Sequence, residues 1–200
     1  MKTLLVLVML APLSAAAQNR PTLAAAVGAG VDLEPARDVA GRGTVTSTLG
    51  SYEFEGEIQW QEVGLLARGV GTNGSIDYHN VGFDRLELVA GGSFRPLAKH
   101  MPGSGWGAIV ARRLAVEAGL AYQRIVAALD DANTLGIHIG AHADFPLVAR
   151  EFGAVPMIRV ILQRSFIIAG DTVTNTAFGS APIDPGTPAL QMLFALGVSW

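Results

Sequence analysis

Residues 190–200, LQMLFALGVSW, place Leu190, Met192, Phe194, Leu196, Val198 and Trp200 at every second position. Successive side chains of a strand point to opposite faces, so these six apolar residues share one face. The other face carries Gln191, Leu193, Ala195, Gly197 and Ser199, mostly small or polar. The same period of two recurs upstream. Residues 22–34 set Leu23, Ala25, Val27, Ala29, Val31 and Leu33 against Ala24, Ala26, Gly28, Gly30 and Asp32. Residues 51–61 alternate most sharply, with Tyr52, Phe54, Ile58 and Trp60 opposite Glu53, Glu55, Glu57, Gln59 and Gln61. Residues 85–95 put Leu86, Leu88, Ala90 and Phe94 opposite Arg85, Glu87, Ser93 and Arg95. Residues 134–147 put Leu135, Ile137, Ile139, Ala141, Ala143, Phe145 and Leu147 opposite Thr134, Gly136, His138, Gly140, His142 and Asp144. Alternation over this length is the signature of a half-buried strand.

Three more segments complete the series. Residues 64–71 supply a strand after a tight turn near Gln61-Glu62-Val63; the alternative is one long strand over 51–71 with its turn at Gly50-Ser51. Residues 155–166 alternate Ile158, Val160 and Leu162 with Arg159, Ile161 and Gln163. Residues 111–129 alternate Leu114, Val116, Ala118, Leu120 and Tyr122 with Arg113, Ala115, Glu117, Gly119 and Gln123. There Leu114, Ala118, Ala121, Ile125 and Ala128 also form a helical stripe; Gly119 would interrupt a helix, which favours the strand. The series makes eight strands, an even number suited to a bacterial single-chain barrel. With both termini at one end, loops near 35–50, 72–84, 126–133 and 167–188 lie at the other. Turns near 61–63, 96–107 and 148–154 lie at the same end as the termini. The expectation is an all-β, eight-stranded antiparallel up-and-down transmembrane β-barrel.

Composition agrees. Half of the 200 residues are hydrophobic and only 16% are charged, yet past the first residues no apolar run reaches the length of a spanning helix. Strand alternation disperses hydrophobicity in this way. The 24 glycines exceed the usual share of about 7%, and glycine within strands suits curvature and close packing. No cysteine is present, so the fold needs no disulfide. A net charge of −3 without a basic stripe argues against nucleic acid. At the N-terminus Met1-Lys2, an apolar run over residues 4–12 and the small residues Ser14-Ala15-Ala16-Ala17 follow the order of a secretory signal peptide. Cleavage after Ala17 divides the chain into a leader, 1–17, and a barrel domain, 18–200. With no cysteine after the apolar run, a lipid anchor is not expected.

The last strand resembles the terminal strand of bacterial outer-membrane barrels, in which a final aromatic with apolar residues two, four and six positions before it is the assembly signal; here these are Trp200, Val198, Leu196 and Phe194. The whole pattern resembles the eight-stranded transmembrane domain of the OmpA/OmpX type. The resemblance implies an outer-membrane location, contact with membrane lipid, recognition by barrel-assembly machinery, a monomer, and no cofactor.

A barrel of eight strands is just wide enough for side chains to fill. The polar faces therefore predict a lumen network of Glu53, Glu55, Glu57, Arg85, Glu87, Arg95, Arg113, Glu117, His138, His142, Asp144 and Arg159. Two histidines four apart on one strand stand about 13 Å apart, too far to share one metal, so no metal site is expected. No catalytic set is expected either. Barrel enzymes that trim lipid A carry a His-x-Ser pair on a late strand, and here His138 and His142 are followed by Ile139-Gly140 and Ala143-Asp144, while His79-Asn80 also lacks the serine. Gly28-Ala29-Gly30 and Gly69-Val70-Gly71 read as strand glycines, because neither opens a helix or carries a Lys-Ser/Thr. Tyr52, Trp60, Tyr122 and Trp200 fall near strand ends, where aromatics mark the membrane–water interface. The expected role is structural or surface-interacting, through the loops. Two alternatives stay open: a barrel enzyme or binder acting on lipids or small amphiphiles, and a soluble calycin-like barrel with apolar faces inward and Glu53, Glu55 and Glu57 in water.

Overall fold

The computed structural model describes residues 21–32, 36–38, 44–47, 51–76, 81–127, 130–148, 154–170, 173–174, 182–183 and 190–200. The expected leader, residues 1–17, lies outside the described residues, as does most of the loop over 171–189. In chain order the strands are β1 (Thr22–Asp32), β2 (Ala36–Asp38), β3 (Thr44–Ser47), β4 (Ser51–Trp60), β5 (Val63–Ile76) and β6 (Val81–Phe94). A helix, α1 (Trp106–Arg112), precedes β7 (Leu114–Ala127), β8 (Asp130–Pro146), β9 (Val155–Gly170), β10 (Val173–Thr174), β11 (Pro182–Ile183) and β12 (Gln191–Ser199).

Eight of these strands form a closed antiparallel ring. β1 pairs with β4, and β4 through β8 each pair with the next in sequence. β9 pairs with β12, and β12 returns to β1 with Val27 opposite Leu196. Leu23 and Trp200 exchange backbone hydrogen bonds of 2.8 Å at the end of that seam. Closure removes the unpaired strand edges that an open sheet would expose. The hairpin β2–β3 extends the sheet by pairing Val45 with Ile76 at the loop end.

The turn between β4 and β5 is the two-residue loop Gln61-Glu62, with Trp60 opposite Val63. Gln61 takes φ 49°, and Gln59 Nε2 donates to its carbonyl oxygen at 2.9 Å. Positive φ is what the twist of a tight hairpin demands. The single long strand over 51–71 is thereby excluded. Between β6 and β7 the expected plain turn contains α1, and Ala111 and Arg112 belong to that helix rather than to the strand that follows. Trp-Gly-Ala-Ile-Val-Ala-Arg has no alternation to hold it in a sheet. Ile109 is buried, and Trp106 packs its ring 5.9 Å from Phe145, with Nε1 donating to the Pro146 carbonyl at 3.4 Å. Strands also run past the expected loop boundaries: β5 reaches Ile76, β6 starts at Val81, β8 starts at Asp130 and β9 ends at Gly170.

Burial is inverted relative to a water-soluble barrel. Val27 and Leu196 on the outer face are 64% and 65% exposed, whereas Arg159 and Glu87 inside are 0% and 1% exposed. Tyr52, Phe54 and Ile58 face out, and Glu53, Glu55 and Glu57 face in. This overturns the calycin-like alternative, which needs the opposite orientation. Small apolar groups, Leu66–Val89–Ala121 and Val70–Ile161–Leu193, fill gaps between the polar layers inside.

Glycine permits two local features. On the lumen side Gly91 faces Gly119 across the β6–β7 pair, and a Cβ on Gly119 would come within 2.7 Å of the Gly91 Cα. On the outer face the rings of Phe54 and Tyr52 lie over their register partners Gly69 and Gly71. All three tryptophans gather at the turn end: Trp60 at the hairpin, Trp106 opening α1, and Trp200 at the β1–β12 seam.

Candidate functional site

The period of two that turns Tyr52, Phe54 and Ile58 outward sends Glu53, Glu55 and Glu57 into the lumen, and each barrel strand repeats this. Two arginines cross the lumen and hold these carboxylates together. Arg159 on β9 donates from Nε to Asp144 Oδ1 at 2.5 Å and from Nη2 to Asp144 Oδ2 at 2.8 Å and Glu57 Oε2 at 2.7 Å. Its Nη1 pairs with Glu55. Arg68 on β5 donates from Nε to Glu55 Oε2 at 2.6 Å, from Nη1 to Glu117 Oε2 at 2.8 Å and Gln163 Oε1 at 2.7 Å, and from Nη2 to Glu117 Oε1 at 2.9 Å. Glu55 therefore bridges the two guanidinium groups. A planar guanidinium offers five donors in a fixed fork, which suits bidentate carboxylates in a site closed to water.

Glu117 is the other hub. His138 Nε2 lies 3.3 Å from its Oε2, and His142 Nδ1 pairs with its Oε1. The two histidines, separated along β8, thus meet on one carboxylate of β7. Toward the loop end, Glu87 accepts from Gln123 Nε2 at 3.0 Å and from Ser165 Oγ, while Arg85 Nη2 donates to Thr72 Oγ1 at 3.4 Å. Toward the turn end, Arg95 Nη2 donates to Glu57 Oε2 at 3.3 Å and Asp144 Oδ2 at 3.4 Å, and Ser93 Oγ donates to Glu57 Oε1 at 2.6 Å.

The expected lumen set is thus largely brought together. Glu53 is buried inside as well, but both its carboxylate oxygens lack a hydrogen-bond partner. Arg113 stands half-buried at the C-cap of α1, at the barrel end rather than deep within. Arg68, central to the network, is missing from the expected set, along with Gln163, Gln191 and Ser165. Its signal was available: once the turn is placed at Gln61-Glu62, Gly64, Leu66, Arg68, Val70 and Thr72 share the inward parity. Without a firm turn, that parity could not be assigned.

Two constellations have chemical form. Ser165 Oγ lies 3.5 Å from His138 Nδ1, whose Nε2 faces Glu117, so hydroxyl, imidazole and carboxylate stand in line. Such a line is the layout of an activated nucleophile. Here, however, Ser165 donates its proton to Glu87, and Ser165, His138 and Glu117 are all buried in the packed lumen. The second gathers Glu57, His142 and Asp144, each offering a ligand atom within 4.8 Å of the others. Spacing along β8 alone could not reveal it, because Glu57 comes from β4.

The fold and the lumen define a closed, eight-stranded antiparallel β-barrel with an apolar exterior and a side-chain-filled polar interior. No family model and no curated protein matches the chain. Among solved structures it is similar to Neisserial surface protein A, at 8% identity over 90% of this chain and 94% of that one, with a TM-score of 0.48. It is also similar to the outer membrane protein OprG from Pseudomonas aeruginosa, at 10% identity over 90% of this chain and 95% of that one, with a TM-score of 0.49. The N-terminal β-barrel domain of Pseudomonas aeruginosa OprF matches at 13% identity over 90% and 95%, with a TM-score of 0.36. Likeness this distant says nothing about activity, and the barrel assignment stands on the strand pairing and burial of this chain.

Proposed function

We propose that this protein is an integral outer-membrane barrel with a plugged lumen, serving a structural or surface-interaction role through the loops opposite its termini. The observation that supports it is the inverted burial: an outer face of exposed Val, Leu, Ile and Phe around an interior of buried ion pairs. In hydrocarbon every backbone polar group must be satisfied internally, and a closed barrel does this. In this reading the outer face meets lipid. The turn end, with Trp60, Trp106 and Trp200 at its rim, lies at the periplasmic interface, where aromatic girdles sit. The packed network leaves the barrel a scaffold rather than a pore, with membrane lipid and the assembly machinery as partners and no catalysis. The test is fractionation. The protein should require detergent for extraction from the outer membrane and show heat-modifiable gel mobility. Recovery in the soluble periplasmic fraction without detergent would refute the proposal.

A further inference from the structure

We propose that Glu57, His142 and Asp144 form a site for one divalent transition-metal ion near the turn end of the lumen, with Arg95 as the resident cation that the ion displaces. The three residues come from β4 and β8, and each is only 2% exposed. The geometry at His142 points to an ion. Its Nδ1 is engaged by the Glu117 carboxylate, which can only accept, so Nδ1 carries the hydrogen and Nε2 is the nitrogen left to bind an ion, releasing any proton it holds when the ion arrives. A carboxylate on the far nitrogen is the usual orienting partner of a metal-bound histidine. His142 Nε2 is buried without a hydrogen-bond partner and stands 3.7 Å from Glu57 Oε2. At this spacing no hydrogen bond joins the two atoms. Two metal bonds of about 2.0–2.1 Å at a tetrahedral angle would separate nitrogen and oxygen by roughly 3.4 Å, close to the distance observed.

Charge and access agree. Among the described residues six carboxylates (Glu53, Glu55, Glu57, Glu87, Glu117 and Asp144) are buried in the lumen. They outnumber Arg68, Arg85 and Arg159 there, and still exceed the arginines when half-buried Arg95 and Arg113 at the turn end are counted. Arg95 reaches the same Glu57 and Asp144 oxygens through contacts of 3.3 and 3.4 Å, longer than those of Arg159 to the same two atoms. Its side chain is 12% exposed, against 0% and 1% for Arg68 and Arg159, so it can swing toward water. The ion also takes Glu57 Oε2 and Asp144 Oδ2 from Arg159 Nη2, while Arg159 stays anchored through Nε on Asp144 Oδ1 and Nη1 on Glu55. One imidazole with two carboxylates suits Zn²⁺ better than Mg²⁺ or Ca²⁺, which favour oxygen-only shells.

This inference rests on the barrel interior and not on the membrane assignment, so it is tested on the folded barrel in detergent. Zn²⁺ is titrated calorimetrically into wild type, His142→Ala, His138→Ala and Arg95→Gln, each checked for folding by heat-modifiable mobility. The expectation is one Zn²⁺ per chain, removable by EDTA, with a raised unfolding temperature in the loaded protein. His142→Ala should bind about tenfold or more weakly, while His138→Ala, an equally buried histidine outside the site, should match wild type. Arg95→Gln should bind about tenfold or more tightly, because a competing positive charge is gone. Absence of stoichiometric Zn²⁺, equal binding by His142→Ala, or equal binding of Mg²⁺ would overturn the proposal. If His142→Ala fails to fold, wild type and Arg95→Gln still decide it: an unchanged affinity in Arg95→Gln refutes the displacement.

Discussion

Glu117→Gln and Arg95→Gln remove one charge each from the same lumen, yet the structure assigns them different costs. Glu117 accepts from two nitrogens of Arg68 at 2.8 and 2.9 Å and pairs with both His138 and His142. Its side chain and that of Arg68 are both 0% exposed, so no water replaces what is lost. A glutamine there keeps one acceptor and turns an amide NH₂ toward donors of Arg68 or His142. Breaking a fully desolvated pair in this way costs about 3–5 kcal/mol, a shift of ~10²–10⁴-fold in the unfolding equilibrium. Arg95 makes contacts of 3.3 and 3.4 Å from a side chain that water reaches, and Glu57 and Asp144 keep Arg159 without it. Its loss should cost no more than about 1 kcal/mol. The assay is urea unfolding of each variant, folded in lipid vesicles and followed by tryptophan fluorescence and band mobility. A midpoint shift at constant slope reports stability. Equal costs for the two variants, or a Glu117→Gln barrel within 1 kcal/mol of wild type (roughly the value of an exposed pair), would refute the assignment of Glu117 as a buried hub.

Four further outcomes are expected. Planar-bilayer recordings should show no large, stable conductance, because Arg68 and Arg159 bridge the lumen from wall to wall; a steady open channel would contradict the plug. Trp200→Ala should slow folding and lower the inserted yield, since it removes the aromatic side chain at the end of the β1–β12 seam while leaving the backbone hydrogen bonds with Leu23 in place; unchanged yield and mobility would remove that role. Gly119→Ala should destabilise by about 1–3 kcal/mol through overpacking against Ala90 and Gly91. Gly56→Ala, where a Cβ meets nothing within 4 Å, should be neutral or slightly stabilising by the same unfolding assay.

What the sequence determined by itself was the face of each residue. Strand periodicity is a property of the local backbone, so Tyr52, Phe54 and Ile58 against Glu53, Glu55 and Glu57 could be sorted into opposite faces without knowing any partner strand. The same holds for the apolar face from Leu190 to Trp200. Eight such segments in succession, with turns at one end and longer loops at the other, sufficed for an antiparallel ring. Where alternation faltered, legibility did too: Arg68 lost its place because the turn before it was open, and α1 was missed because a short helix between two strands leaves no repeating signal. Tertiary structure alone decided which charges meet. Register and closure are non-local, and a side chain's inward parity does not say which opposite wall it reaches. Only the closed ring brings Arg159 of β9 to Glu55 and Glu57 of β4 and sets Glu57 beside His142 and Asp144, while the β7–β8 register, with Gly140 opposite Glu117, puts both histidines of β8 on that carboxylate.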